Sequence, residues 1–362
     1  YMDNGYLAFS CVPVETEIDE DSIDIEMRIN EGRQFDINKV VVRGNDRTSD
    51  HVIYREIRTL PGQKFSRADL IRTQRELSQL GYFDPEQIGI NPLPNFQDGT
   101  VDIEYSLVER PSDQIELSGG WGGFYGFVGT LGLVFNNFSI KNITKFDKWR
   151  PLPVGDGQRL QLRAQANGRA FQSYSFSFTE PWLGGRKPNA LTVSIQRSSQ
   201  RTNIFSSSEF QGWLKLTGFS VSLMRRVRWP DDYFTISNSL SFFIYDLNNY
   251  GFRLGFSDGV ANNFTFNTTI ARNSVDAPMY PRYGSNISLS VSLTPPYSLW
   301  RDIDYETADN ATKWKWIEYH KWMFDATFHQ KLAGNLVGVT RAHIGYIGNY
   351  GVSVGPFERF VM

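Results

Sequence analysis

With 362 residues, 21% of them charged and 15% aromatic, the chain has length for more than one domain and more aromatic content than a typical soluble domain. Its net charge of -2 hides an asymmetry: residues 1–111 hold 12 Lys+Arg against 21 Asp+Glu, residues 112–362 hold 25 against 18, and the two parts therefore face different surroundings. No Lys/Arg block points to nucleic acid, the single Cys11 excludes an intrachain disulfide, and no apolar run reaches the roughly 18 residues of a membrane-spanning helix.

The first segments alternate. Tyr6 to Glu15 and Ile23 to Asn30 have period two, with Ile23, Ile25, Met27 and Ile29 on one face, which predicts half-buried strands. They bring no helix of their own and read as the tail of a module whose start lies before Tyr1. No signal peptide opens the chain, yet Tyr1 begins mid-pattern, so it is expected to be an interior piece of a longer precursor.

A complete module follows. Phe35 to Val42 is a predicted strand closed by the turn Arg43-Gly44-Asn45-Asp46. Thr48 or Ser49 caps a short helix carrying Val52, Ile53 and Ile57, and Pro61-Gly62 ends it. Ser66, with Asp69 three residues on, caps a second helix whose apolar stripe is Leu70, Ile71, Leu77 and Leu80. Gly81 supplies its left-handed stop. Strands Gln87 to Leu93 and Thr100 to Val108 close the module around a turn at Asp98-Gly99. The order is strand, helix, helix, strand, strand.

Past Val108-Glu109-Arg110-Pro111 no helical period persists. The first strand beyond it runs into Ser118-Gly119-Gly120-Trp121-Gly122-Gly123, and each glycine weakens strand ordering by roughly 0.5–1 kcal/mol relative to alanine. The same glycines could instead serve a tight bend or side-chain packing. Strict alternation then recurs: Leu160, Leu162, Ala164; Tyr174, Phe176, Phe178; Leu191, Val193, Ile195; Ile287, Leu289, Val291, Leu293. The intervening residues are small or polar, and Trp182, Trp213, Trp229 and Tyr233 fall near strand ends. A soluble sandwich also alternates, but the length of the series, the polar residues and the aromatic ends fit a transmembrane β-barrel with a wet lumen and interfacial girdles. Arg159 and Arg163 then point inward, and the aromatic alternates face lipid. About eleven strands are countable, an odd number where bacterial barrels usually close with an even one. A barrel continuing beyond Met362, through a large loop that Gly355 to Phe360 introduces, is therefore expected. Thr179-Glu180-Pro181-Trp182-Leu183 with Gly184-Gly185 is a short turn, and Tyr297 to Lys313 a long loop around which Trp300, Trp314, Trp316 and Trp322 cluster, to pack it, sit in the lipid interface or bind a surface partner, with packing the expectation.

Catalytic chemistry is not written in the pattern. The glycine cluster lacks the Gly-Lys-Ser/Thr of a phosphate-binding loop. His51, His320, His329 and His343 have no metal-binding spacing, and no sharp Ser/His/Asp motif occurs. The expectation is a protein without enzymatic activity, cofactor or metal.

Gly44-Asn45-Asp46, Arg55-Glu56-Ile57-Arg58, Leu80-Gly81-Tyr82-Phe83 and Val101-Asp102-Ile103 through Val108-Glu109-Arg110, in that order, resemble a POTRA domain. With the attached strands, the chain looks most like the last POTRA and the barrel of the BamA family of outer-membrane assembly proteins. The resemblance implies an α+β POTRA module followed by an antiparallel barrel that has 16 strands in the family. It assigns residues 1–32 to the end of a preceding POTRA, 33–111 to the last POTRA and 112–362 to the first part of the barrel.

It also implies a function: folding and inserting β-barrel clients. Partners would be unfolded outer-membrane proteins, accessory periplasmic lipoproteins and the lipid bilayer. The location would be a bacterial outer membrane, with the POTRA arm in the periplasm. The lateral gate would lie at Gly119, Gly120, Gly122 and Gly123. The exposed POTRA strand, at Gln87, Ile88, Gly89, Ile90, Asn91 and Leu93, would add client strands, unless Pro92 and Pro94 blunt it. Two alternatives stand beside this: an exporter of the two-partner secretion type, and a passive porin or receptor. The family's luminal Val-Arg-Gly-Phe-type loop motif is not in this sequence, and Arg359 is not its arginine.

Overall fold

The computed structural model describes all residues except 20–21, 123–125, 150, 203–211, 228, 232, 251–256, 277–279, 302, 305–306, 352–354, 356 and 360–362. The chain divides into two compact units, one of residues 1–113 and 136–158, the other of residues 114–135 and 159–362.

The first unit opens with a hairpin of β1 (Ser10–Asp19) and β2 (Ser22–Asn30). Its alternation is as expected, but the burial is not. Ile23, Ile25, Met27 and Ile29 are each more than half exposed, because no other element covers the face among the described residues. The module that follows has the expected order: β3 (Asp36–Arg43), α1 (Asp50–Tyr54), α2 (Arg67–Gln79), β4 (Gly89–Asn95) and β5 (Thr100–Ser106). The sheet order is β3-β5-β4, with β3 parallel and β4 antiparallel to the central β5. Central position explains the burial of β5. Val101, Ile103 and Tyr105 are fully buried on one face, while the intervening residues stay partly exposed.

Local chemistry sets the helix ends. The Ser66 hydroxyl accepts from the Asp69 amide at 3.2 Å, and Gly81 takes φ 76° just past α2. One residue of the expected stripe is displaced. Ile71 is 51% exposed, and Thr73 faces the core instead, because 70, 73 and 77 share a face at 3.6 residues per turn. Burial of Thr73 is satisfied: its hydroxyl accepts from the Arg58 amide at 3.0 Å. The core also includes Phe35, Ile53, Leu77 and Phe83. Tyr105 shares a hydrogen bond of 2.8 Å with Thr59, and burial pushes its phenol above the usual value.

The second unit is built on one antiparallel sheet of eleven strands in sequence order. They are β6 (Gln114–Trp121), β7 (Phe127–Phe138), β8 (Gln158–Asn167), β9 (Phe171–Glu180), β10 (Asn189–Thr202), β11 (Gly212–Val227), β12 (Phe234–Asn248), β13 (Gly259–Asn273), β14 (Tyr283–Leu293), β15 (His320–Ala333) and β16 (Leu336–Gly348). Register aligns like with like across it. Leu162, Phe176, Ile195, Phe219, Phe242 and Phe264 pair in succession from β8 to β13. Ile195 and Phe219 are about half exposed at 50% and 46%, as lipid-facing side chains are in an isolated chain. The opposite face carries hydroxyls that satisfy one another across strands, as at Ser194–Ser220 (2.6 Å) and Thr269–Ser290 (2.8 Å).

The expected turn after β9 is present, with Gly184 and Gly185 at positive φ. The long connection after β14 holds α3 (Tyr297–Trp300) and α4 (Asn310–Lys313). Packing of its tryptophans holds for two of the four. Trp316 lies 5.0 Å from the Tyr297 ring and Trp314 joins a cluster with Phe357, whereas Trp300 is 70% exposed and Trp322 44%.

Candidate functional site

β6 is one end of the eleven-stranded sheet, and β16 is the other. Among the described residues no pairing joins them, so β6 is hydrogen-bonded on one side only, to β7. Every residue from Gln114 to Trp121 is exposed. Alternate residues of an antiparallel strand turn their N–H and C=O away from the partner, and this stretch contains no proline. The open side therefore keeps a full set of donors and acceptors.

Two of the expected gate residues lie within this strand: Gly119 opposite Gly129 and Gly120 opposite Val128. A Cβ at Gly120 would meet nothing within 4 Å, and at Gly119 its nearest contact is the Phe127 ring at 3.6 Å. Neither has a left-handed φ. A Cβ would therefore fit at both positions without a clash, in open space at Gly120 and against the Phe127 ring at Gly119. What they do is weaken ordering of the strand, by roughly 0.5–1 kcal/mol each. Gly122 follows the strand and donates its amide to the Gly126 carbonyl at 2.8 Å in the turn to β7. Gly123 lies outside the described residues.

Sequence reasoning missed two supports of this hairpin. The Phe127 ring lies over the Gly119–Gly129 pair: a Cβ at Gly129 would sit 2.8 Å from it. An aromatic ring laid over cross-strand glycines restores part of the packing they lack. Lower in the strand, Glu116 packs across Gly132 of β7 and reaches Arg163 of β8 at 3.8 Å. The absent side chain at Gly132 is what lets an ion pair span three strands. The pair is about half exposed, so its contribution is small. Leu117, Phe127, Leu131, Ala164 and Tyr174 line a cleft of about 210 Å³ beside the hairpin.

The second expected site, the POTRA edge, is placed differently in part. Gln87 lies in a one-turn 3-10 helix, Pro85–Gln87, that the Asp84 side chain caps. Ile88 precedes the strand and is 7% exposed in the core. Gly89, Ile90, Asn91 and Leu93 do lie on β4, an edge strand of its sheet. Which groups the edge offers follows from the register. The Leu107 amide donates to Arg43 of β3, so odd positions of β5 face β3 and even positions face β4. Gly89, Asn91 and Leu93 pair with Ser106, Glu104 and Asp102, and spend their main-chain groups on β5. Ile90, Pro92 and Pro94 face outward, and only Ile90 of these has an N–H.

The sequence also gave no sign that residues 136–158 fold with the POTRA module. The Asn137 side-chain amide donates to the Thr48 hydroxyl at 2.9 Å, and the Ser49 amide to the Gly155 carbonyl at 2.9 Å. Nothing in the spacing of residues 48 and 137 signals this contact.

Two family descriptions match the chain. Surface antigen variable number repeat, the POTRA family, covers residues 35–110, and the Omp85 superfamily domain covers residues 154–362. The chain belongs to the Omp85 superfamily. It is similar in sequence to outer membrane protein assembly factor BamA of Neisseria meningitidis, at 30% identity over 45% of this chain and 18% of that protein. It is 25% identical to outer envelope protein 80, chloroplastic, of Oryza sativa over 46% of this chain and 24% of that protein. These alignments span less than a quarter of either relative's length. In fold it resembles BamA from Haemophilus ducreyi lacking POTRA domains 1–3, with a TM-score of 0.63 at 20% identity over 98% of this chain and 64% of that one. CdiB from Escherichia coli shares the fold, with a TM-score of 0.54 at 11% identity over 98% of this chain and 61% of that one. As an Omp85 chain this is an outer-membrane protein, of a bacterial outer membrane or a chloroplast outer envelope, and its eleven-stranded sheet matches the BamA barrel in fold.

Proposed function

We propose that this Omp85 chain belongs to a bacterial factor that folds and inserts β-barrel proteins, working by strand addition at β6. One observation carries the reading: β6, the first strand of the sheet, has a donor at every position and two glycines at which an added Cβ would meet no clash. When its pairing with the closing strand parts, such a strand is a template for another strand. Its loose ordering lets an incoming client compete for pairing, and the drive comes from satisfying amides in lipid, where each unpaired group costs several kcal/mol. No nucleotide or cofactor enters the step. Gly119, Gly120, Gly122 and Gly123 form the lateral gate.

In this reading residues 1–32 close a preceding POTRA, 33–111 form the last one and 112–362 begin the barrel. The POTRA edge at Ile90 takes client strands weakly, for want of outward donors. Unfolded outer-membrane proteins are the clients, with accessory periplasmic lipoproteins and the bilayer as further partners and the arm in the periplasm. The fold alone does not choose between insertion and export, since CdiB shares it. The sequence likeness to BamA supports insertion.

The test is a cysteine pair joining β6 to the closing strand of the full-length protein. Client insertion into liposomes stops on oxidation and returns on reduction. Undiminished insertion with the seam locked overturns the gate.

A further inference from the structure

Asn137, near the end of β7, is 7% exposed, and three of its polar groups are engaged. Its side-chain N–H donates to Thr48 Oγ1 and its Oδ1 accepts from the Gly157 amide, both at 2.9 Å. Its carbonyl accepts from the Gly155 amide, also at 2.9 Å. The receiving surface is itself fixed. Thr48 is 2% exposed, and the Glu109 carboxylate accepts from the amides of Arg47 (2.9 Å) and Thr48 (2.7 Å). Tyr82 donates its hydroxyl to the Gly157 carbonyl at 3.1 Å.

The approach is too close for side chains. A Cβ on Gly155 would lie 3.1 Å from Ser49 Oγ and 3.3 Å from the Arg47 carbonyl, and one on Gly157 3.0 Å from Arg55 Nη2. The connection is ordered from within as well. Ser139 donates to Asp156 at 2.7 Å, and the Asn142 side chain to the Val154 carbonyl at 2.9 Å. Beside it the Asn136 side chain donates to the Ser112 carbonyl at 2.5 Å, just before β6 begins.

Both strands of the first hairpin therefore leave from one hydrogen-bonded body, while its far end holds Gly119 and Gly120. We propose that Asn137 is a positioning residue for strand addition: it fastens the POTRA-proximal end of β7, so that β6 opens from its glycine end with the fastened end as the hinge. The proposal rests on the gate reading above. A hairpin loose at both ends would detach without presenting an ordered edge. One fastened at its start offers a client a strand already in register.

The experiment uses the full-length protein in lipid nanodiscs, with Asn137→Ala, the milder Thr48→Val, and a Thr48→Cys, Asn137→Cys pair. Amide exchange is followed at residues 49, 155 and 157 and along β6, and client insertion is measured in liposomes. Wild type is expected to exchange faster at 119–121 than at 114–117. Asn137→Ala raises exchange at 157, whose amide loses its side-chain acceptor, by about tenfold, the scale of one buried hydrogen bond left unmade, and Thr48→Val raises it less. The gradient along β6 flattens and insertion slows several-fold, while the melting temperature of the sheet stays in place. Oxidation of the cysteine pair restores insertion. Unchanged exchange at 157 in Asn137→Ala overturns the fastening. Faster exchange there with an unaltered β6 gradient and insertion rate overturns the positioning role. A wild type that inserts no client overturns the gate reading instead, and the exchange gradient then still decides whether Asn137 holds the hairpin.

Discussion

Two strands of this molecule stand at an edge of their sheet among the described residues, and they are built in opposite ways. β4 turns Ile90, Pro92 and Pro94 outward, so its open side has carbonyls but a single N–H among those three residues. β6 keeps every N–H and instead carries Gly119 and Gly120. Proline removes donors and fixes the backbone; glycine keeps donors and frees it. An edge of the first kind resists strand addition, and one of the second kind invites exchange. The contrast supports the proposed placement of the adaptable pairing surface in the sheet rather than in the POTRA module.

The largest expected effect comes from giving β4 its donors back. Pro92→Val with Pro94→Val should tighten binding of an extended client-derived peptide to the full protein by about tenfold or more, since two outward hydrogen bonds at roughly 1 kcal/mol each become available. Fluorescence anisotropy reads this, and an unchanged affinity breaks the donor argument. Next, Gly119→Ala with Gly120→Ala should stabilise β6 pairing by about 1–2 kcal/mol in total. Both positions have room. Slower amide exchange across β6 together with slower client insertion is the expected outcome; faster insertion would mean that looseness is not what the glycines provide. Smallest is Glu116→Gln, which removes the half-exposed pair with Arg163. It should shift stability by less than about 0.5 kcal/mol and leave insertion unaltered. A large loss there would move the control of β6 from its glycines to its charge pair.

Much of the architecture was legible before any coordinates. Period-two alternation revealed the strands after Pro111, and their register brings Phe176, Ile195 and Phe219 into one row. Ser66 and Gly81 marked the ends of α2 because capping is local chemistry. Local rules failed where a neighbour decided. Thr73 rather than Ile71 shares the buried face with Leu70 and Leu77, and its hydroxyl is satisfied there only because a distant residue, Arg58, donates its amide to it. The strand after α2 starts at Gly89 rather than Gln87 because Asp84 closes a turn first.

By itself, then, the sequence determined which segments are strands and helices, which faces are apolar, and where glycine and proline fall, since each of these depends on residues close together in the chain. Only the tertiary structure decided that the outward side of β4 is the proline side, that Gly120 stands in open space while Gly119 lies under the Phe127 ring, and that Asn137 closes on Thr48. Those facts depend on sheet register and on contacts between residues as far apart as 89 positions, which no local pattern encodes.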